Sequence, residues 1–318
     1  MTRYLLARFA STVPVWVGIS LLAFGLSALT PGDPATIILL RQTGEPPSVE
    51  AVRIVRRQLR LDDPFPARYG RWLLRAVQGD LGQSYRTGEP VLASLASRFP
   101  RTLAIAATAM AMALAVSLPL GVATAMFRGS GLDHGVRIAT LLVASLPSFW
   151  LGYLLILLFA VWLHALPVAG SGTARHLVLP ALTLAVGVGA GFSRLIRAAL
   201  LEELWQGYTR TARARGVREI LVILRHCLRN ASIGLTTVAA LRFGHLLAGA
   251  VIVETVFAWP GIGSFMVDAI YDRDYPVIQG FVLFTGTVFL ALSLLADLAY
   301  SWLDPRIRLT RGGGDAVA

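Results

Sequence analysis

Residues 202–230 read EELWQGYTRTARARGVREILVILRHCLRN and lie between two long apolar runs, 177–200 and 231–257. Runs of that length suit helices crossing a hydrocarbon core of about 30 Å at about 1.5 Å per residue. A link between two such spans needs only a few residues. This one is far longer and carries six arginines, at 210, 213, 215, 218, 225 and 229. Its spacing is helical. Tyr208, Ala212, Arg215 and Gly216 fall on one side of a short helix that Gly216 ends. Ile220, Ile223, Leu224 and Leu228 form a second amphipathic piece leading back into the bilayer. A long, basic, structured connection predicts docking onto something in the cytoplasm.

Composition bounds the rest. The chain has 318 residues, 55% hydrophobic and 15% charged, where a soluble domain carries about 25% charged residues. It therefore reads as an all-α integral membrane protein. The net charge of +11 does not point to nucleic acid, because the basic residues lie between apolar spans instead of along one face. All 29 basic residues are arginine. Without a lysine the chain cannot build a P-loop nucleotide site, nor form a Schiff base. The single cysteine, Cys227, excludes an intrachain disulfide and reads as a small residue on the apolar side of a helix.

Six spans are expected. The first runs from Phe9 to Leu29 and is too long for a signal-peptide core; residues 1–30 are its cytoplasmic N-terminus and helix. An external segment, 31–101, opens with the turn PGDP at 31–34. It then holds a helix over 48–61 and an amphipathic surface helix over 66–77, with Tyr69, Trp72, Leu73 and Ala76 on one face. A five-helix core, 102–302, follows. Its first span runs over 102–127, with a short loop at 128–135. The third span, 137–163, should bend at Pro147. The fourth carries Gly187, Gly189 and Gly191, which would let helices approach closely. The loop 202–230 comes next, then a span ending at Phe257. A re-entrant piece, 258–275, precedes the sixth span, 276–302, and a tail occupies 303–318. Arginines concentrate on the side of the termini and the long loop, while the two short loops opposite hold only Arg175 and Arg273. That asymmetry predicts a multi-pass protein of the cell (inner or plasma) membrane with both termini cytoplasmic.

YTRTARARG, followed by RHCLRNA, resembles the cytoplasmic coupling loop of binding-protein-dependent ABC importer permeases, in the branch for dipeptides, oligopeptides and nickel. Arg210, Thr211 and Ala212 stand in the E-A-A places of that family's signature, and Gly216 in its glycine. His226 and Leu228 take the later apolar places, with Arg229 where proline would be. SLPSFWLG at 145–152, HLVLPALTLA at 176–185, ETVFAWPGIG at 254–263, RDYPVIQG at 273–280 and DLAYSWLDPRIR at 297–308 extend the resemblance in the right order. PGDP and GDLG do the same in the outer segment. The short stretch 165–175 looks more like the nickel branch than like dipeptide permeases.

The resemblance implies one of two different permease subunits of a type I importer, paired with two ATP-binding subunits and an external substrate-binding protein. ATP would be bound by those partners, so no cofactor is expected here, nor an enzymatic activity. The coupling residues implied are Tyr208, Arg210, Thr211, Ala212, Arg215, Gly216 and Leu228. The cargo implied is nickel, as a chelate, with di- or oligopeptides as the alternative. A channel or secondary transporter acting alone is a further alternative, but no inverted repeat or mid-span acid supports it.

Ionisable residues inside a span cost about 2.5–3.5 kcal/mol on insertion scales. Arg242 and His245 sit mid-way along the fifth span, one turn apart, with Val238 and Gly249 on the same face. They are candidates to line the translocation path, or to contact a partner permease. Glu254, near the outer end, would line an outer gate or cap the re-entrant piece. The five histidines show no metal-ligand spacing, and no metal centre is expected. Ser145 or Ser148 with His245 would be the seed of an intramembrane hydrolase, but no nucleophile motif surrounds them.

Overall fold

The computed structural model describes residues 2–29 and 32–303, with side chains over 10–28, 32–41 and 43–295. The expected tail from 304 onward, and Pro31 of the PGDP turn, lie outside the described residues. Among the described residues there is no strand, only one isolated antiparallel bridge between Gln83 and Pro90. Everything else regular is helix, as the composition requires.

Two compact units divide the chain: residues 1–101 with 260–291, and residues 102–259 with 292–318. The first unit is built on α1 (Thr2–Leu29), α2 (Pro34–Thr43), α3 (Val49–Gln58), α4 (Phe65–Val77) and α12 (Ile262–Tyr271). The start of α5 (Val91–Met126) and most of α13 (Tyr275–Leu303) complete it. Helices α1 and α13 are zipped along their length. Trp16 Nε1 donates to Thr287 Oγ1 at 3.0 Å, Gln279 Nε2 donates to Ser27 Oγ at 2.5 Å, and Gly286 leaves room for Ile19. The aromatic face of α4 does not lie free at a membrane surface. Tyr69 and Trp72 pack on Phe24 of α1 at centroid distances of 5.7 and 5.4 Å. Helix α2 is absent from the sequence expectation. Pro34 at its first turn and Gly44 just past its end are start and stop signals, which the reading of PGDP as a turn passes over.

The second unit holds the rest of α5, α6 (Gly131–Ala144), α7 (Ser148–Leu155), α8 (Ala174–Leu204), α9 (Gly207–Ala214), α10 (Glu219–Leu221) and α11 (Leu228–Val256). Two π-helical stretches, Ile156–Trp162 and Val222–Cys227, extend α7 and join α10 to α11. The core lies between α8 and α11, which pack along each other and on α7.

Among the described residues, five helices are long and apolar enough to span a membrane: Ala10–Ala28, Val91–Met126, Ala174–Leu204, Glu219–Val256 and Tyr275–Leu295. The third expected span is broken, not kinked. Its halves, α6 and α7 with its extension, meet at 104°. Pro147 sits extended before α7 at φ −61°, ψ 138°, so its missing N–H and its restriction on Leu146 end one helix instead of bending it. The second span begins at Val91, well before Thr102, because Val91 and Leu95 are fully buried one turn apart. The loop expected at 128–135 is shorter, since Ser130 caps α6 by accepting the Asp133 N–H at 3.3 Å.

Of the three glycines expected to bring helices together, only Gly189 does so. A Cβ there would stand 3.5 Å from the Ala113 backbone, while Gly187 and Gly191 face open space. A tighter crossing within this unit is at Gly121, where a Cβ would fall 2.6 Å from Ile196 Cγ2.

Candidate functional site

The basic loop is half helix and half span. Helix α8 ends at Leu204 and a continuous helical rod resumes at Glu219, so only the stretch between them leaves the spans. Within it α9 is anchored from below. Thr209 is fully buried, and its Oγ1 donates to the carbonyls of Leu204 at 3.0 Å and Gln206 at 2.6 Å. Tyr208 donates to the carboxylate of Glu203. Partial burial and that carboxylate hold the phenol above its ordinary range. Gly216 closes the helix at φ 75°, with the Val217 N–H reaching back to the Ala212 carbonyl at 3.2 Å. This is the left-handed C-terminal turn that favours glycine. Arg213 holds Glu219 across that turn.

This anchoring presents one surface. Tyr208, Arg210, Thr211 and Arg215 are exposed, with Ala212 half-buried between them. Trp205, absent from the expected set, is 67% exposed beside them. Leu228 is not on this surface. It is half-buried against the core at the start of α11. The second amphipathic piece also differs from expectation: Val222, Ile223 and Cys227 are buried and Leu224 is exposed. A π-helical turn fits one extra residue, so the inward positions shift off the α-helical rhythm.

On α11, Arg242, His245 and Gly249 are exposed and Val238 is half-buried. Beside them runs an exposed apolar seam, Leu241, Ala248 and Ile252, in step with His245 at spacings of four and three. Glu254 is different. It is completely buried and accepts a hydrogen bond from Thr102 Oγ1 at 2.5 Å, tying α11 to α5. Its backbone carbonyl accepts the Trp259 N–H at 2.8 Å. The carboxylate is enclosed and does not face an open path.

A second buried charge, which the sequence reading missed, stiffens the unit. Arg197 Nε and Nη2 donate to the two oxygens of Asp133 at 2.8 and 2.7 Å, and Gly129 N–H adds a third bond at 3.0 Å. The Asp133 side chain is 1% exposed. The sequence offers a lone acid in a basic loop and an arginine near a helix end, without any sign that they meet.

Residues 117–309 match the model for the binding-protein-dependent transport system inner membrane component, and residues 1–106 match its N-terminal companion. The chain belongs to that family. As a permease of this family it is a multi-pass component of the inner membrane. It is 40% identical over 316 residues, 97% of this chain and 99% of the relative, to a protein of Brucella abortus (strain 2308) named as a putative peptide transport system permease. It is 38% identical over 308 residues, again 97% and 99%, to the glutathione transport system permease protein GsiC of Escherichia coli (strain K12). Among solved structures, an inward-facing MetNI methionine ABC transporter chain aligns with TM-score 0.58 and 21% identity, covering 68% of this chain and 99% of that one. This last likeness shows the fold alone.

Among the described residues no group of three or more His, Cys, Asp or Glu side chains could hold a metal ion. His164 and His176 border one shallow, open cavity, but His176 Nδ1 is already paired with Thr173 Oγ1 at 2.8 Å. Ser145 Oγ donates to the Leu141 carbonyl at 2.9 Å, the ordinary contact of a helix-end serine.

Proposed function

We propose that this permease imports small peptides, as one of two paralogous permease subunits driven by two ATP-binding subunits and fed by an external binding protein. The observation that carries the cargo is the agreement of its relatives. Proteins 40% and 38% identical along nearly the whole chain are named for peptide and for glutathione, and glutathione is itself a tripeptide. The nickel reading rests chiefly on the short stretch 165–175, and nothing in the comparisons favours it.

In this reading the exposed surface of α9 seats in a groove of an ATP-binding partner. Arg210 and Arg215 meet acidic side chains there, while Trp205 and Tyr208 supply apolar contact. Gly216 gives the turn that returns the chain to the membrane. Arg242 and His245 face the path shared with the second permease, where the guanidinium attracts a peptide carboxylate in transit. Glu254 supports that path from behind by fixing α11 to α5. Both termini lie in the cytoplasm and segment 31–101 lies outside.

Uptake of a radiolabelled dipeptide and tripeptide, with nickel in parallel, tests the cargo in cells with and without the gene. Loss of peptide uptake alone is expected. Loss of nickel uptake alone would overturn the peptide reading. Failure of an ATP-binding subunit to copurify with the tagged chain would overturn the coupling.

A further inference from the structure

An open cavity of about 450 Å³ lies within the unit formed by residues 1–101 and 260–291. Phe24 and Ser27 reach it from the end of the span Ala10–Ala28, and Tyr275 and Gln279 from the start of the span Tyr275–Leu295. It therefore sits where hydrocarbon gives way to headgroups.

Its walls are basic. Arg60, Arg68, Arg71 and Arg75 line it, against the single carboxylate of Asp80. Nearby acids are already engaged: Asp33 and Asp62 with Arg56, and Asp63 with Arg71 at 2.7 Å. Arg60, Arg68 and Arg75 have no ion-pair partner among the described residues. Arg68 instead stands 5.9 Å from the Phe24 ring.

Two residues that border the cavity carry buried polar atoms. Tyr275 is 5% exposed, yet its hydroxyl has no hydrogen-bond partner among the described residues. The Trp72 Nε1 is likewise buried and unpartnered. Burial, then Asp274, push the Tyr85 phenol in the same wall up to about 12, which keeps it a donor. Arg60 also holds a backbone position where glycine is the default. At φ 52° it follows α3, with the Leu61 N–H bonded to the Arg56 carbonyl at 3.0 Å. A strained arginine aimed at a basic cavity is a feature to be explained by what it reaches.

We infer that this cavity binds a phosphate-type oxyanion carrying an apolar body. Several guanidinium forks and the Tyr85 phenol are matched to the three oxygens of a phosphate better than to a lone carboxylate. Phe24, Leu59 and Leu81 offer apolar wall below. An anionic phospholipid headgroup supplies this chemistry at the bilayer edge, and free phosphate supplies the same chemistry from solution. The site shares no lining residue with α9 or with Arg242 and His245, and does not depend on the cargo.

The test uses the delipidated permease complex. Native mass spectrometry counts retained phosphatidylglycerol against phosphatidylcholine, and thermal unfolding is followed with inorganic phosphate against chloride at equal ionic strength. The expected result is preferential retention of phosphatidylglycerol. Arg68→Gln and Arg75→Gln each weaken it about tenfold, while Arg57→Gln, exposed outside the cavity, leaves it unchanged. Saturable protection by phosphate with the same arginine dependence, and no lipid preference, would keep the site and assign it to a soluble anion. Wild-type complex that prefers neither phosphatidylglycerol nor phosphate overturns the inference whether or not the variants fold. So does anion binding that Arg57→Gln weakens as much as Arg68→Gln.

Discussion

Arg213 grips Glu219 with two parallel hydrogen bonds, Nε to Oε2 at 2.9 Å and Nη2 to Oε1 at 2.7 Å. The pair straddles the turn at Gly216 and locks α9 to the beginning of the next rod. Both side chains are well over a third exposed, so solvent screens the pair and its worth to stability is only about 0.2–1 kcal/mol. Its value lies in stiffness between a docking helix and a span. Arg213→Glu or Glu219→Arg alone should lower peptide uptake several-fold with little change in Tm. The charge-reversed double variant should recover most of the uptake, and no recovery would mean that the pair does not transmit motion.

Gly216→Ala should cost about 1 kcal/mol, because φ 75° is disfavoured for alanine although the space is open. Gly207→Ala, in equally open space within the first turn of α9, should be neutral. Thermal unfolding of the two variants in one detergent separates backbone strain from added bulk.

The Gly121–Ile196 crossing predicts overpacking. Gly121→Ala places a methyl 2.6 Å from Ile196 Cγ2 and should destabilise by about 1–3 kcal/mol. Ile196→Ala in the same chain should restore part of the loss. Gly187→Ala should change nothing, and equal loss from both alanines would discredit the crossing.

Asp133→Asn leaves the partly exposed Arg197 without its counter-charge. Breaking a fully buried pair costs about 3–5 kcal/mol; solvent at Arg197 lowers that cost here, and expression and Tm should still both fall. Replacing Asp133 and Arg197 together by Leu and Met should be milder than the single change.

Arg242→Leu with His245→Ala should reduce uptake while copurification of the partner subunits persists. Unchanged uptake would remove both residues from the path.

What is legible in the sequence follows from periodicity and from breakers. The apolar runs mark the spans, Gly216 marks the end of α9, and Pro147 marks a discontinuity. The illegible parts depend on distance along the chain or on backbone geometry that composition does not encode. Nothing local reveals that Asp133 meets Arg197, that Thr102 reaches Glu254, or that Gly121 is the crossing point and not Gly187. Thr209 reads as an ordinary polar residue in a basic loop, and only the fold shows it buried as the peg under α9. Trp205 escapes notice because it stands just outside the signature. Leu224 is misplaced by a period of 3.6 carried across a stretch that does not keep it, while Leu228 packs on the core as that period expects.

That stretch, Val222–Cys227, acts as a phase shifter. One residue more than an α-helical turn holds rotates everything beyond it by about 100°. Deleting a single residue there, with every other side chain intact, should turn the Arg242–His245 face more than a quarter of the way around the helix axis. The direction in which α11 presents Arg242 and His245 is thus set some distance away, by a count of residues and not by their chemistry.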